Sequence, residues 1–437
     1  MLFLHYNEAK MKRILLILCW IGSLGAPLWA QPDTLTVMQY NLLYYGNYNS
    51  GFADCYETNN NTQRKDECVR TILDYVKPDI LTVCEFGATQ ALQSSFMSHN
   101  LNINGATYWK SDNIINYAHE SIINHIFYDS RKMELKRHVA LRTSPRDTDV
   151  YELYLKTPGI LYGDTTKLVC IVAHPKAGMG YESNRRATMQ VAMDYINRNY
   201  ASDNVLIMGD FNMYGASESG YRLLTQTYTN PDILFVDPVA NLNGVGEWNN
   251  NIQFAPFHTQ STHSYSDECY SNGGMDDRFD FILMSDEIYM GFNKMKYVNL
   301  SYHAVGNDGR HFNQSIDQYG NDAVPNEVLE ALFDGSDHLP VTMKMAVFDK
   351  LEVEEFAQGD FRFYPNPTEG ILHLETPYYD GGTSYYDVPT YRIMNVMGQM
   401  VMTGRISSER EDLDVSSLPS GMYFLQFGGK TCKFVRR

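Results

Sequence analysis

Val205-Leu206-Ile207-Met208-Gly209-Asp210-Phe211-Asn212 decides the fold. An apolar run leads into a glycine, an acid and an amide. Such a run reads as a strand buried on both faces. Its carboxyl end is where sheet-based sites open, which puts Asp210 and Asn212 in a position to do chemistry. Gly209 lets backbone or ligand approach closely. An Asp and an Asn two apart also suit a plain turn. The other strand-like runs weigh against the turn. Residues 35–41 end in Asn41, residues 79–85 in Glu85 and residues 167–174 in His174. Residues 278–284 alternate and set Arg278 and Asp280 opposite the apolar positions. Residues 335–341 carry Asp337 and His338.

Between these runs the period changes. Residues 64–76 show helical spacing through Val69, Ile72, Leu73 and Val76 and stop before Pro78. Residues 184–200 read as a helix with Ala187, Val191, Ala192, Tyr195 and Ile196 on one face. Residues 122–128 and 135–141 read as a hairpin turning at residues 129–132. Strands alternating with helices imply a layered α/β domain over residues 31–348. Its long polar stretches, 241–275 and 303–327, are of a length that usually carries function. Residues 349–360 are acidic and without period, a linker. Residues 361–437 hold short alternating strands and turn residues, the pattern of a small antiparallel β-sandwich.

The chain of 437 residues has 44% hydrophobic content, enough for a sizeable core, and a formal net charge of −17. That charge disfavours broad non-specific nucleic-acid binding, although a bound cation could supply positive charge locally. Lys12 and Arg13 precede an apolar run reaching Ala30, so residues 1–30 read as a cleaved signal peptide. The run is short for a membrane span, and no later stretch is suited to one. An exported chain permits disulfides. Cys55 and Cys68, close together and flanked by polar residues, are the expected pair; Cys84 and Cys170 sit in strand-like runs and read as small core residues.

The polar strand-end residues are Asn41, Glu85, His174, Asp210, Asn212, Asp280, Asp337 and His338. Oxygen ligands of this kind suit a hard cation, Mg²⁺ (or Mn²⁺), held by one or two carboxylates. Phosphate-ester hydrolysis needs such a cation, an activated water and donors for the charge that develops. The set can supply all of these.

Residues 34–348 resemble the endonuclease/exonuclease/phosphatase family. The resemblance rests on Gln39-Tyr40-Asn41, the strand ending in Glu85, Ala173-His174, Gly209-Asp210-Phe211-Asn212, Arg278-Phe279-Asp280-Phe281-Ile282 and Ser336-Asp337-His338-Leu339-Pro340-Val341, in this order. It implies a DNase I-like four-layered α/β sandwich, two packed sheets flanked by helices. It also implies Glu85 as principal metal ligand aided by Asn41 and Asp337. Asp210 would orient or deprotonate the attacking water, and Asn212 and His174 would bind the scissile phosphate. His338, held by Asp280, would stabilise charge or protonate the leaving oxygen. The chain departs from the family pattern at Cys84, usually Gln, and at Pro175, usually Leu or a similar residue.

Other candidates keep two readings each. Lys176 either touches phosphate or is solvated; Arg278 either touches phosphate or pairs with a loop carboxylate; Gln260 could line the cleft. His258, His263, His303 and His311 lack ligand spacing and are expected on the surface. Phe363-Tyr364-Pro365-Asn366-Pro367, Asn395-Val396-Met397-Gly398-Gln399, Gly421-Met422-Tyr423-Phe424 and the closing Lys433-Phe434-Val435-Arg436-Arg437 resemble the type IX secretion sorting domain of Bacteroidetes. A carbohydrate-binding sandwich is the other reading of that unit. Together these resemblances imply a phosphodiesterase acting on nucleic acid, delivered by the type IX machinery to the cell surface or the exterior. A phosphatase or sphingomyelinase-type phospholipase, and a surface binding protein on an inactive enzyme fold, are the alternatives.

Overall fold

The computed structural model describes residues 33–47, 55–157, 160, 165–226, 233–265, 269–348, 362–375, 390–395, 399–406, 408–427 and 430–437. One sheet contains β1 (Asp33–Tyr45), β2 (Ile80–Gly87), β3 (Trp109–Lys110), β4 (Ile122–Asp129), β11 (Met295–Tyr297), β12 (His303–Ala304) and β13 (Val341–Val347). Its order is β11-β13-β1-β2-β4-β3, with β12 on β13. The other contains β5 (Met133–Leu141), β6 (Thr148–Leu155), β7 (Thr166–Ala173), β8 (Asn204–Asp210), β9 (Phe235–Val236) and β10 (Asp280–Ser285), in the order β5-β6-β7-β8-β10-β9.

Side-chain alternation along β1 sorts the layers. Leu35 and Val37 join the core between the sheets, whereas Met38, Tyr40 and Leu42 join a second core under α1 (Thr62–Val76) and α7 (Asn326–Gly335). On the far side α3 (Glu182–Asn199) seals β7 and β8 with Met189, Ala192, Met193 and Ile196. The result is helix, sheet, sheet, helix, the α/β sandwich the resemblance implies. Short helices α2 (Gln90–Phe96), α4 (Ser219–Thr225), α5 (Pro238–Asn243) and α6 (Asp286–Met290) fill connections.

The parallel pairs β1–β2 and β7–β8 set the polarity of the site. Parallel neighbours end at the same edge, so Asn41 and Glu85 emerge together, as do His174 and Asp210. Antiparallel β10 begins at that edge, with Asp280 opposite Asp210.

Several expectations need correction. β4 and β5 exist, but the turn between them carries the chain from one sheet to the other: β4 pairs with β2 and β3, and β5 with β6. β4 is buried along its whole length and takes sheet neighbours on both edges, which a lone hairpin could not provide. In α3 the buried face follows Met189 and Met193, while Val191 is exposed. The helix α7 begins inside the stretch 303–327 read as polar excursion, at Asn326; Val328, Leu329, Ala331 and Leu332 form its apolar face. Cys55 is bonded to Cys269, not Cys68, which is a free, buried residue of α1. Cys84 and Cys170 are free and buried.

Among the described residues the C-terminal unit has two sheets. β14 (Arg362–Tyr364), β15 (Ile371–Glu375) and β18 (Arg410–Asp414) form one; β16 (Thr390–Asn395), β17 (Met400–Arg405), β19 (Gly421–Phe427) and β20 (Lys430–Arg436) form the other. Leu372, Leu374, Ile393, Leu425 and Phe434 pack in its core. The signal segment 1–30 and the linker 349–360 lie outside the described residues. Among the described residues no helix is long and apolar enough to cross a membrane.

Candidate active site

Asp210 is the centre. Its Oδ2 accepts from the Asn41 amide at 3.0 Å and lies 3.3 Å from His174 Nε2 and 3.8 Å from His338 Nε2. Its Oδ1 accepts from the Asn212 backbone N–H at 3.1 Å. Gly209 lies against the Ala173 backbone of β7, where an added Cβ would fall 1.8 Å from the carbonyl oxygen. A side chain at that position would push the ends of β7 and β8 apart.

Asn41, Glu85 and His174 form one side. Asn41 Nδ2 also reaches Glu85 Oε1 at 3.2 Å, and His174 Nε2 lies 3.8 Å from the same oxygen. Asn41, expected to offer oxygen to a metal, accepts the Leu43 N–H at 3.0 Å on its Oδ1, and its amide N–H groups face the carboxylates. Glu85 Oε2 accepts the Tyr44 N–H at 3.1 Å.

His338, Asp280, Asp337 and Gln260 form the other side. His338 Nδ1–H donates to Asp280 Oδ2 at 2.6 Å, and Thr259 Oγ1 donates to the same oxygen at 2.8 Å. This fixes the ring orientation. Gln260 Nε2 lies 2.7 Å from His338 Nε2 and 3.1 Å from Asp337 Oδ2, and Ser271 N–H donates to that Asp337 oxygen at 3.1 Å. The sequence offered Gln260 only as a possible cleft residue; Ser271 and Thr259 carried no signal.

Electrostatics separates the groups. Burial would raise Asp210, but His174 and His338 outweigh it and hold the carboxyl well below the usual range. Burial, reinforced by Arg146, lowers His174 despite Asp210. His338 goes the other way: burial opposes the charge, but Asp280, Asp337 and Asp210 together raise it well above an ordinary histidine. Burial pushes Asp280 up to about 6 against the pull of His338. The carboxylates thus favour protonation of the His338 ring, whereas burial disfavours charge on Asp280.

The site suits a divalent cation. Glu85, His174 and Asp210 present ligand atoms within 4.8 Å of one another, as do Asp210, Asp280 and His338. Asp337 Oδ1 is buried and has no hydrogen-bond partner among the described residues, an oxygen that a cation would satisfy. The oxygen-rich donor set fits Mg²⁺ or Mn²⁺ better than a soft metal.

The remaining candidates scatter. Arg278 is 1% exposed and takes the second of its two readings, forming a bidentate pair with Asp237 at 2.7 and 2.8 Å behind the site. Lys176, half-buried on the loop after β7, has its ammonium 5.0 Å from the Tyr181 ring centroid. Asn212 is buried, in the left-handed region at φ 52°, with its amide 3.5 Å from the Pro175 carbonyl. His258, His263 and His311, expected on the surface, are buried. His258 bonds the Trp248 and Met275 carbonyls, and His263 stacks on Phe333, so their roles are in loop packing.

Residues 362–437 match the family described as the secretion system C-terminal sorting domain. No curated protein matches the chain. Similar solved structures include a humanized D. rerio TDP2, at 11% identity and TM-score 0.44, covering 72% of this chain and 99% of that one. The human Nocturnin catalytic domain with bound sulfate is similar at 14% identity and TM-score 0.42, covering 72% and 98%. An endonuclease/exonuclease/phosphatase family protein from Bacteroides thetaiotaomicron is similar at 13% identity and TM-score 0.43, covering 73% and 99%.

Proposed function

We propose that residues 31–348 form a divalent-metal-dependent phosphoesterase that hydrolyses phosphodiesters of nucleic acid, exported by the type IX machinery to the cell surface or exterior. The observation that carries it is the convergence on Asp210 of two histidines in opposite electrostatic settings, beside the carboxylates of Glu85 and Asp337.

Glu85 and Asp337 would hold the cation. When bound, the cation supplies positive charge to the phosphoryl oxygens. Asp210, kept ionised by its neighbours, orients the attacking water and accepts its proton. His174, neutral, and the Asn212 amide donate to the non-bridging oxygens of the scissile phosphate. His338 stands as the acid: its raised proton affinity and fixed ring suit it to protonate the leaving oxygen. Asp280 keeps that ring in place and balances its charge.

One observation favours the second reading, a phosphatase or sphingomyelinase-type phospholipase. Arg278 is committed to Asp237 and does not extend a cationic track for a polymer. The two are separated by assaying the full chain on plasmid DNA, RNA, a phosphomonoester and sphingomyelin, each with Mg²⁺ and with EDTA. Metal-dependent cleavage of DNA or RNA is expected. Turnover of only the monoester or the lipid moves the assignment to the second reading, and silence on all four removes both.

A further inference from the structure

Lys65 is a buried cation that the catalytic scheme does not use. It lies in the first turns of α1, only 2% exposed. Both placements are unfavourable: burying an ammonium is costly, and a cation near a helix N-terminus opposes the helix dipole. Its ammonium donates to three backbone carbonyls, Leu42 at 2.7 Å, Leu43 at 2.8 Å and Gly335 at 2.9 Å.

Those carbonyls belong to the two segments that aim the metal-holding carboxylates. Leu43 and Tyr44 both adopt left-handed backbone, φ 47° and 49°, and neither is glycine. Such a backbone persists in non-glycine residues only where the surroundings over-determine it. The bend is what turns the Leu43 N–H onto Asn41 and the Tyr44 N–H onto Glu85. Asn60 supports the same bend, its amide donating to the Leu43 and Tyr44 carbonyls at 3.1 and 3.2 Å. Gly335 lies two residues before Asp337, and the intervening Ser336 hydroxyl donates to the Asn41 carbonyl at 2.7 Å. Burial pulls the Lys65 ammonium down to about 7, and the negative charges of Asp337 and Glu85 oppose that fall.

We propose that Lys65 is a positioning residue, a buried strut that ties the Leu42–Tyr44 bend, whose Tyr44 N–H holds Glu85, to the Gly335–Asp337 segment at the spacing a divalent cation requires. The proposal rests on the metal-dependent reading above. It predicts that neutralising Lys65 weakens metal binding out of proportion to its effect on folding, because the strained bend then relaxes and two carboxylates lose their shared anchor. Arginine, with several donors and a permanent charge, can serve the same carbonyls.

The test follows the thermal midpoint of the full chain against Mg²⁺ and Mn²⁺ concentration, which reads metal binding without turnover. Wild type, Lys65→Met, Lys65→Gln, Lys65→Arg and the same-helix core variant Ile72→Ala are compared. Both neutral variants are expected to need at least tenfold more metal for the half-maximal shift. Lys65→Arg should lie within threefold of wild type, and Ile72→Ala should melt earlier with an unchanged metal midpoint. A neutral variant within threefold of wild type overturns the proposal. So does an equal displacement in Ile72→Ala, or failure of both neutral variants to fold, since the role is then general stability. A wild-type protein with no metal-dependent shift fails the metal reading itself, a distinguishable result.

Discussion

His174 and His338 both reach Asp210 Oδ2, at 3.3 and 3.8 Å, yet their surroundings drive them in opposite directions. His174 follows the last residue of β7 in one sheet, is buried beside Arg146, and has an Nδ1 with no hydrogen-bond partner among the described residues. His338 precedes a strand of the other sheet and sits among Asp280, Asp337 and Asp210. Similar imidazoles are thereby given opposite shifts in proton affinity on the two sides of one carboxylate. Pairs of titratable groups pushed apart by environment are what acid–base division of labour requires.

The sharpest way to break this comparison is to remove the acid. His338→Ala should lower kcat by about 10³, within the range for loss of a general acid, while the circular dichroism spectrum is preserved. Asp210→Ala should lose at least about 10² for want of the base. If either variant turned over near the wild-type rate with Mg²⁺ present, the roles given to these residues would be wrong.

Asp280→Asn comes next, with an expected loss of about 10², because the ring loses its orientation and its counter-charge. The sign of its pH effect is fixed by the geometry. Removing a carboxylate lowers the proton affinity of His338, so the alkaline limb of kcat/KM should move to lower pH. In wild type, activity should fall as pH drops through about 6, where Asp280 takes up a proton. An unchanged alkaline limb in the variant would detach Asp280 from His338 function.

His174→Ala should cost about tenfold, chiefly in KM, if the ring only holds phosphate oxygen. Arg146→Met should be the mildest change, within about threefold in rate. Its diagnostic is histidine titration by NMR: His174 should titrate at higher pH once the neighbouring guanidinium is gone. A downward or absent shift would leave the His174 environment unexplained by Arg146.

Much of this site was legible because strand ends are punctuated in one dimension. Asp210, Glu85 and His174 each follow an apolar run that reads as a buried strand. What escaped depends on the third dimension. The residues 129–132 turn looked like a hairpin, yet local sequence does not say which sheet receives the next strand. Arg278 alternates onto the same face as Asp280, but its partner Asp237 lies 41 residues away. The Cys55–Cys269 bond spans 214 residues, whereas proximity in sequence favoured Cys68. Lys65 did leave a signal. It falls four residues before Val69 and seven before Ile72, on the buried stripe of its helix, where a lysine calls for a partner.

The most direct measurement is phosphodiester hydrolysis by the full chain, wild type against Asp210→Asn, with Mg²⁺ and after chelation by EDTA. The account predicts turnover that EDTA abolishes, added Mg²⁺ restores and Asp210→Asn reduces by at least about 10². Hydrolysis indifferent to EDTA, or undiminished in Asp210→Asn, would contradict a metal-assisted site centred on Asp210.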